Sequence, residues 1–333
     1  LRQLAFILVS CLAAMSACAA QGNYLDRSEA QALIDSLVNE HQLDRAALES
    51  VLASAKHDES VIEAISRPKE RTLEWHEYRE IFLQPLRVRR GLNFWRENAD
   101  SLARALADYG VPPEVIVAII GVETDYGRVT GNHRALDSLA TLGFDYPPRS
   151  EFFFKELKHL LLLASEEGKD AGSLKGSYAG ALGLAQFMPS SFRAFAVDFS
   201  GDAQRDIWHS SEDAIGSVAN YLAEHGWREN GQVLFPVGLG DGADLDALRF
   251  QGDFAAAPSI ADMEGKGVMF DSPEWSQSAK EEQVMLTSFD SGDGHKPYAG
   301  LNNFYVITRY NRSHMYARAV HELSQMLLQD FAQ

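Results

Sequence analysis

The run Val115-Ile116-Val117-Ala118-Ile119-Ile120-Gly121-Val122 carries no polar side chain and ends on an acid, Glu123. Pro112 and Pro113 suit a first helical turn and Gly127 suits a stop, so the run reads as a helix. At helical spacing Val115, Ile116, Ile119, Ile120 and Glu123 lie on or beside one stripe, and the carboxyl emerges among aliphatic side chains. Burial there would raise its pKa and leave it partly protonated near neutrality, the state a general acid needs. The competing reading of this stretch alone is a helix-terminal Glu that reaches solvent, since charged groups are rarely left buried.

With 333 residues the chain has room for a sizeable core and two or three sub-domains. Its net charge of −17 argues against a nucleic-acid or anionic-membrane surface partner, and leaves a neutral or zwitterionic polymer open. Residues 1–20 read as a signal peptide: Arg2 precedes an apolar segment over 4–9, and small residues follow through Ala20. The segment is too short for a persuasive membrane span, and a buried N-terminal helix is its competing reading. Both cysteines, Cys11 and Cys18, fall within it, so the exported body is expected to hold no internal disulfide. Met15-Ser16-Ala17-Cys18 resembles a bacterial lipobox with Met where Leu is usual. The expectation is lipidation at Cys18 and a place in the periplasm, anchored to the outer membrane. Soluble cleavage after Ala19 or Ala20 also satisfies the small-residue rule.

The periodicity predicts a mainly α (α+β) protein. An N-terminal α domain over 21–103 is marked by Leu33, Leu37, Leu48, Val51 and Leu52 at three- and four-residue spacings, with Pro85 as a kink or stop. A helical, Gly-punctuated core follows over 104–230. In it 152–164 is strongly apolar, and the small-residue loop from Lys175 is expected to enter a helix. Short strand-like runs at 232–237, 267–270 and 283–289 define a small β-rich insertion, 231–300. Residues 301–312 return to the core, and an amphipathic helix over 313–333, with Met315, Ala319, Leu323 and Leu327 four apart, completes the N-terminal domain.

Four stretches carry the chemistry: Gly121-Val-Glu-Thr-Asp-Tyr-Gly-Arg128, Lys175-Gly-Ser-Tyr-Ala-Gly180, Gly183-Leu-Ala-Gln-Phe-Met-Pro-Ser190 and Asp213-Ala-Ile-Gly-Ser-Val-Ala-Asn-Tyr221. In this order they resemble the membrane-bound lytic murein transglycosylase B family, glycoside hydrolase family 103. The resemblance runs from about Asp26 to the C-terminus and includes Glu77-Tyr78-Arg79 and Thr308-Arg-Tyr-Asn-Arg312. It implies a lysozyme-like helical core with Glu123 as the only acid/base. It also implies cleavage of the β-1,4 bond between N-acetylmuramic acid and N-acetylglucosamine in peptidoglycan, closing O6 of muramic acid onto its own C1. One carboxyl group suffices for that chemistry, unlike the usual pair in glycosidases. A hydrolytic muramidase on the same fold and a peptidoglycan-binding lipoprotein without catalysis are the alternatives. An acid in an apolar setting speaks against the latter.

The resemblance further assigns Ser177 and Gln186 to hydrogen bonds with the Glu123 carboxyl or the substrate acetamido group. Tyr78, Tyr221, Tyr310 and Asn311 match groove-lining positions, and Phe152 stands where the family has a tyrosine, keeping the ring without the hydroxyl. Tyr316 and Trp227 read as core. Asp125, two residues from Glu123, points away from its helix face and reads as structural. Asp137, Asp145 and Asp198 stay open as distant partners. No cofactor for catalysis is expected, and no His-Glu-x-x-His spacing suggests zinc. Asp198-Phe-Ser-Gly-Asp-Ala-Gln204 resembles the opening of an EF-hand loop, so Asp198, Ser200, Asp202, the Gln204 carbonyl and Asp213 are candidate ligands of a structural calcium. Ala203 in place of glycine and His209 at the twelfth position depart from that pattern, and an Asp/Ser-rich turn without an ion is the other reading.

Overall fold

The computed structural model describes residues 23–66, 73–250, 252, 254–270 and 280–332. The signal-peptide and Cys18 assignments lie outside them. Among the described residues a 3-10 turn at Tyr24–Asp26 is followed by the α-helices α1 (Ser28–His41), α2 (Arg45–Ala53), α3 (Glu59–Ser66), α4 (Trp75–Phe82), α5 (Pro85–Glu97) and α6 (Ala99–Tyr109). Pro85 is the first residue of α5, where its missing N–H costs nothing.

The apolar run forms α7 (Pro113–Thr124), and every residue from Val115 to Val122 is buried. The expectation of a single apolar stripe is thereby corrected. A helix apolar all round becomes the centre of the core, and α5, α6, α11 (Ser211–Glu224) and α15 (His314–Phe331) enclose α7. The helix also stops before Gly127: Asp125, Tyr126 and Gly127 all take positive φ, and the Asp125 and Tyr126 amides close back onto the Gly121 and Ile120 carbonyls. Asp is among the few residues that tolerate this left-handed turn. Where α5 and α7 cross, the Tyr126 ring lies against Gly91 and Gly121, and a Cβ at either glycine would collide with it.

Between these helices β1 (His133–Arg134) leads into the antiparallel hairpin of α8 (Ala135–Asp145) and α9 (Ser150–Glu166). β2 (Lys175–Gly176) pairs with β1, His133 opposite Gly176. The loop after β2 does not enter a helix, contrary to expectation. Leu182 bridges back to Gly176 and on to Phe187, and Gly180 and Gly183 adopt positive φ, so the chain becomes helical again only with α10 (Pro189–Phe195).

Beyond α11 come β3 (Leu234–Pro236), β4 (Gly238–Leu239), the short helices α12 (Leu245–Leu248) and α13 (Ile260–Glu264), β5 (Val268–Met269), β6 (Met285–Asp290) and β7 (His295–Gly300). The antiparallel sheet runs β3-β7-β6, and β4 pairs with β5. Val237, Ile260, Val268, Val284 and Leu286 close a small hydrophobic core of their own. β7 escapes a sequence reading because His295, Lys296 and Pro297 look like a turn. The proline is tolerated because β3 pairing ends at Tyr298, and only its carbonyl is used, by the Val237 amide. α14 (Asn302–Tyr310) and α15 return to the main core, α15 packing along α7, α5 and α4. Among the described residues no single helix is long and apolar enough to cross a membrane.

Candidate active site

Glu123 leaves the buried helix at its last turn and faces a cavity of about 610 Å³. Four parts of the chain meet there: Tyr78 and Phe82 from α4, the 129–133 segment, the loops carrying Ser177 and Gln186, and Asn311 and Tyr316 around the start of α15. Thr124 ties the acid's helix to one of those loops. Its buried hydroxyl lies 3.1 Å from the Leu184 carbonyl and accepts from the Gly127 amide at 3.0 Å.

Periodicity hid one partner of the acid. The Tyr316 hydroxyl donates to Glu123 Oε1 at 2.6 Å across 193 residues of sequence. Sequence reading placed Tyr316 in the core. It is indeed buried, at 3% exposure, but its hydroxyl is part of the site. Burial first, and then the negative charge of Glu123, hold that phenol well above its ordinary range, so it stays a donor across physiological pH. The helical spacing of α15 alone contains no signal for this role.

Ser177 and Gln186 both line the cavity. Ser177 Oγ accepts from the Ala179 and Ala181 amides, at 3.3 and 3.1 Å, which leaves its proton to donate. Gln186 takes a left-handed backbone conformation and gives its amide protons to the Thr130 and Gly183 carbonyls. The amide oxygen is then the end left to accept. Tyr78 and Asn311 line the same cavity, Tyr78 buried and Asn311 exposed.

Three expected groove residues are not among the lining. Tyr221 is buried, with its hydroxyl spent on the Arg309 carbonyl at 2.7 Å, and Tyr310 donates to the Ala185 carbonyl at 2.6 Å. Both rings pack on Phe187 and on each other, so they support the loop that carries Gln186. Phe152, at the start of α9, lies under the Arg149 guanidinium against Phe153.

Among the described residues that line the cavity Glu123 is the only carboxylate. Asp125 is drawn into ion pairs with Arg90 and, at 3.5 Å, Arg128. Asp137 accepts from the Lys56 amide and Arg134, while Asp145 binds Tyr24, His57 and Arg27. Asp198 belongs to the loop before α11.

Between that loop and the first turn of α11 the carboxylate oxygens of Asp198, Asp202 and Asp213 come within 4.8 Å of one another. Fully buried Asp213 accepts from the Phe199, Ser200 and Asp206 amides, and Asp198 from those of Gly201, Asp202 and Ala203. Ala203 takes φ 69, the turn a glycine usually makes. An all-oxygen set of this kind suits a hard cation such as calcium. His209, at the twelfth position, turns instead to Asp206.

Known proteins bear on this arrangement. The sequence profile of the transglycosylase SLT domain matches residues 26–325. The chain is 42% identical over 313 residues to the membrane-bound lytic murein transglycosylase B of Escherichia coli, covering 91% of this chain and 84% of that one. The catenated lytic transglycosylase SltB1 of Pseudomonas aeruginosa superimposes with a TM-score of 0.86 at 42% identity, over 92% of this chain and 99% of that one. Escherichia coli lytic transglycosylase Slt35 in complex with calcium gives 0.81 at 42% identity, over 94% and 96%.

Proposed function

The chain belongs to the transglycosylase SLT domain family and is a peptidoglycan lytic transglycosylase, and we propose that Glu123 is its single acid/base. As a carboxylic acid Glu123 gives its proton to the glycosidic oxygen while the bond from that oxygen to C1 of N-acetylmuramic acid breaks. The resulting carboxylate accepts the proton of the O6 hydroxyl as O6 bonds to C1, which restores the acid and leaves a 1,6-anhydro end. No water is consumed. The observation that carries the reading is a lone carboxylate among the described residues lining the cavity, where no second lining acid stands to act as nucleophile or to activate water. Tyr316 stabilises the carboxylate form at the moment it appears. Ser177 donates and Gln186 accepts, a pair suited to the carbonyl and N–H of an acetamido group. Tyr78 and Asn311 contact the glycan, and Tyr221 and Tyr310 act from behind the cavity wall by bracing the loop that carries Gln186.

Asp198, Ser200, Asp202, the Gln204 carbonyl and Asp213 would hold calcium as a structural ion that pins the loop onto α11. The fit of three carboxylates supports this, as does the calcium complex of Slt35. Residues 231–300 are assigned to a separate small unit on the strength of their own core. A place in the cell envelope, with Cys18 as a lipid anchor, follows from the lipobox-like segment and agrees with the membrane-bound relative.

Mass spectrometry of fragments released from purified sacculi tests the reaction. Anhydro ends, lighter by one water than hydrolysed ends, are expected from the parent. Glu123→Gln should fold and release them at least ~10²-fold more slowly. Hydrated ends, or turnover by the variant near that of the parent, would overturn the assignment.

A further inference from the structure

His133 also lines the cavity, and neither the motifs nor the reaction described above uses it. It sits on β1 opposite Gly176, the residue before Ser177. Gly131 makes this possible: at φ 90 it lies so close to the Gly176 carbonyl that no side chain fits between them. The ring is oriented from a distant part of the chain, since its Nδ1 is 3.2 Å from Asp58 Oδ2, just ahead of α3. Asp58 is itself fixed. Its other oxygen accepts from the Ser60 amide and hydroxyl, and its own amide donates to Thr141. The Ser60 hydroxyl first, and His133 after it, outweigh burial and hold the Asp58 carboxyl below its ordinary range. The Asp58 carboxylate accepts a hydrogen bond from Nδ1–H, which fixes the tautomer whose Nε2 is the acceptor. The side chain is about a third exposed, and Nε2 bonds to no described residue.

We infer that His133, oriented by Asp58, is a substrate-contacting residue whose Nε2 accepts a hydrogen bond from a hydroxyl or amide N–H of the glycan beside the Ser177 subsite. This rests on the reaction proposed above. It makes the 129–133 segment a polar wall of the cleft, with a binding role separate from the acid chemistry. The wall is built from two segments that sequence alone does not connect.

The test measures the Kd of an N-acetylglucosamine–N-acetylmuramic acid tetrasaccharide by calorimetry in the Glu123→Gln background, with His133→Phe and Asp58→Asn added singly. Phe keeps the ring's bulk without its nitrogens. The amide introduced by Asp58→Asn keeps an oxygen for Ser60 and turns its NH₂ to Nδ1, so the ring proton moves to Nε2 and the acceptor is lost. Both should weaken binding about two- to twelvefold, the worth of one hydrogen bond. On sacculi with Glu123 intact, KM should rise more than kcat falls, and ends should remain anhydro. Unchanged Kd in both variants, including the case where only the melting temperature falls, would overturn the inference. A Glu123→Gln protein that does not bind the sugar at all would overturn the functional reading itself and this inference with it, a result distinct from unchanged affinity.

Discussion

Tyr316→Phe removes one oxygen, and that oxygen is the one on the acid. In the ground state the hydroxyl donates to Glu123 Oε1 at 2.6 Å, and as Glu123 yields its proton the same bond becomes charge-assisted. Hydrogen bonds to charged groups contribute about 1.5–3 kcal/mol. Glu123 is half-buried and water can replace part of the loss, so about 1–2 kcal/mol is expected at the transition state, or a roughly 5- to 30-fold fall in kcat. KM should move little, because the ring, buried and parallel to that of Tyr310, keeps its packing. The assay is the initial rate of anhydro-muropeptide release from sacculi, with circular dichroism to verify the fold. A kcat within twofold of the parent, in a folded variant, would refute the reasoning: the bond would then contribute equally before and during the reaction, or not at all.

Other perturbations report on different layers of the structure. Gly121→Ala should cost about 1–3 kcal/mol and lower the melting temperature, because its Cβ enters the ring of Tyr126; an unchanged melt would mean the ring moves aside freely. Calcium should raise the melting temperature more than magnesium does, with Kd on the order of 10⁻⁴ M or weaker, and Asp202→Ala should abolish the effect. Identical melts with chelator and with calcium would reduce the loop to a turn. His57 is opposed by burial, but its hydrogen bonds to Glu59 and Asp145 outweigh that and raise its pKa above the ordinary 6.5. A raised histidine stabilises fully below the unfolded value and loses that contribution as pH rises through the folded one. Melting temperature should therefore decline as pH rises above the ordinary histidine value, and His57→Phe should flatten that slope; equal slopes would remove His57 from the account.

Local order was written in the chain. The apolar run between Pro112 and Glu123 reads as a helix from the sequence, and its last turn does present Glu123, whereas its burial on every side came from the helices packed around it. The ordered motifs around Glu123, Ser177 and Gln186 carried the family and its reaction, because their order along the chain is what a family resemblance is read from. Tertiary packing decided the rest. Tyr316 reaches Glu123 only because α15 lies along α7, and no spacing along one helix encodes what lies on another. The same limit hid the His133–Asp58 contact and left Asp137, Asp145 and Asp198 open as partners of the acid, until the fold gave each carboxylate another role. It also drew Tyr221 and Tyr310 off the cavity lining: aromatic residues at matching positions share a side-chain type, but the carbonyl that captures each hydroxyl comes from elsewhere in the chain. Hydrophobic periodicity determines which faces are buried, whereas hydrogen bonds between segments far apart in the chain are set only when those faces have packed.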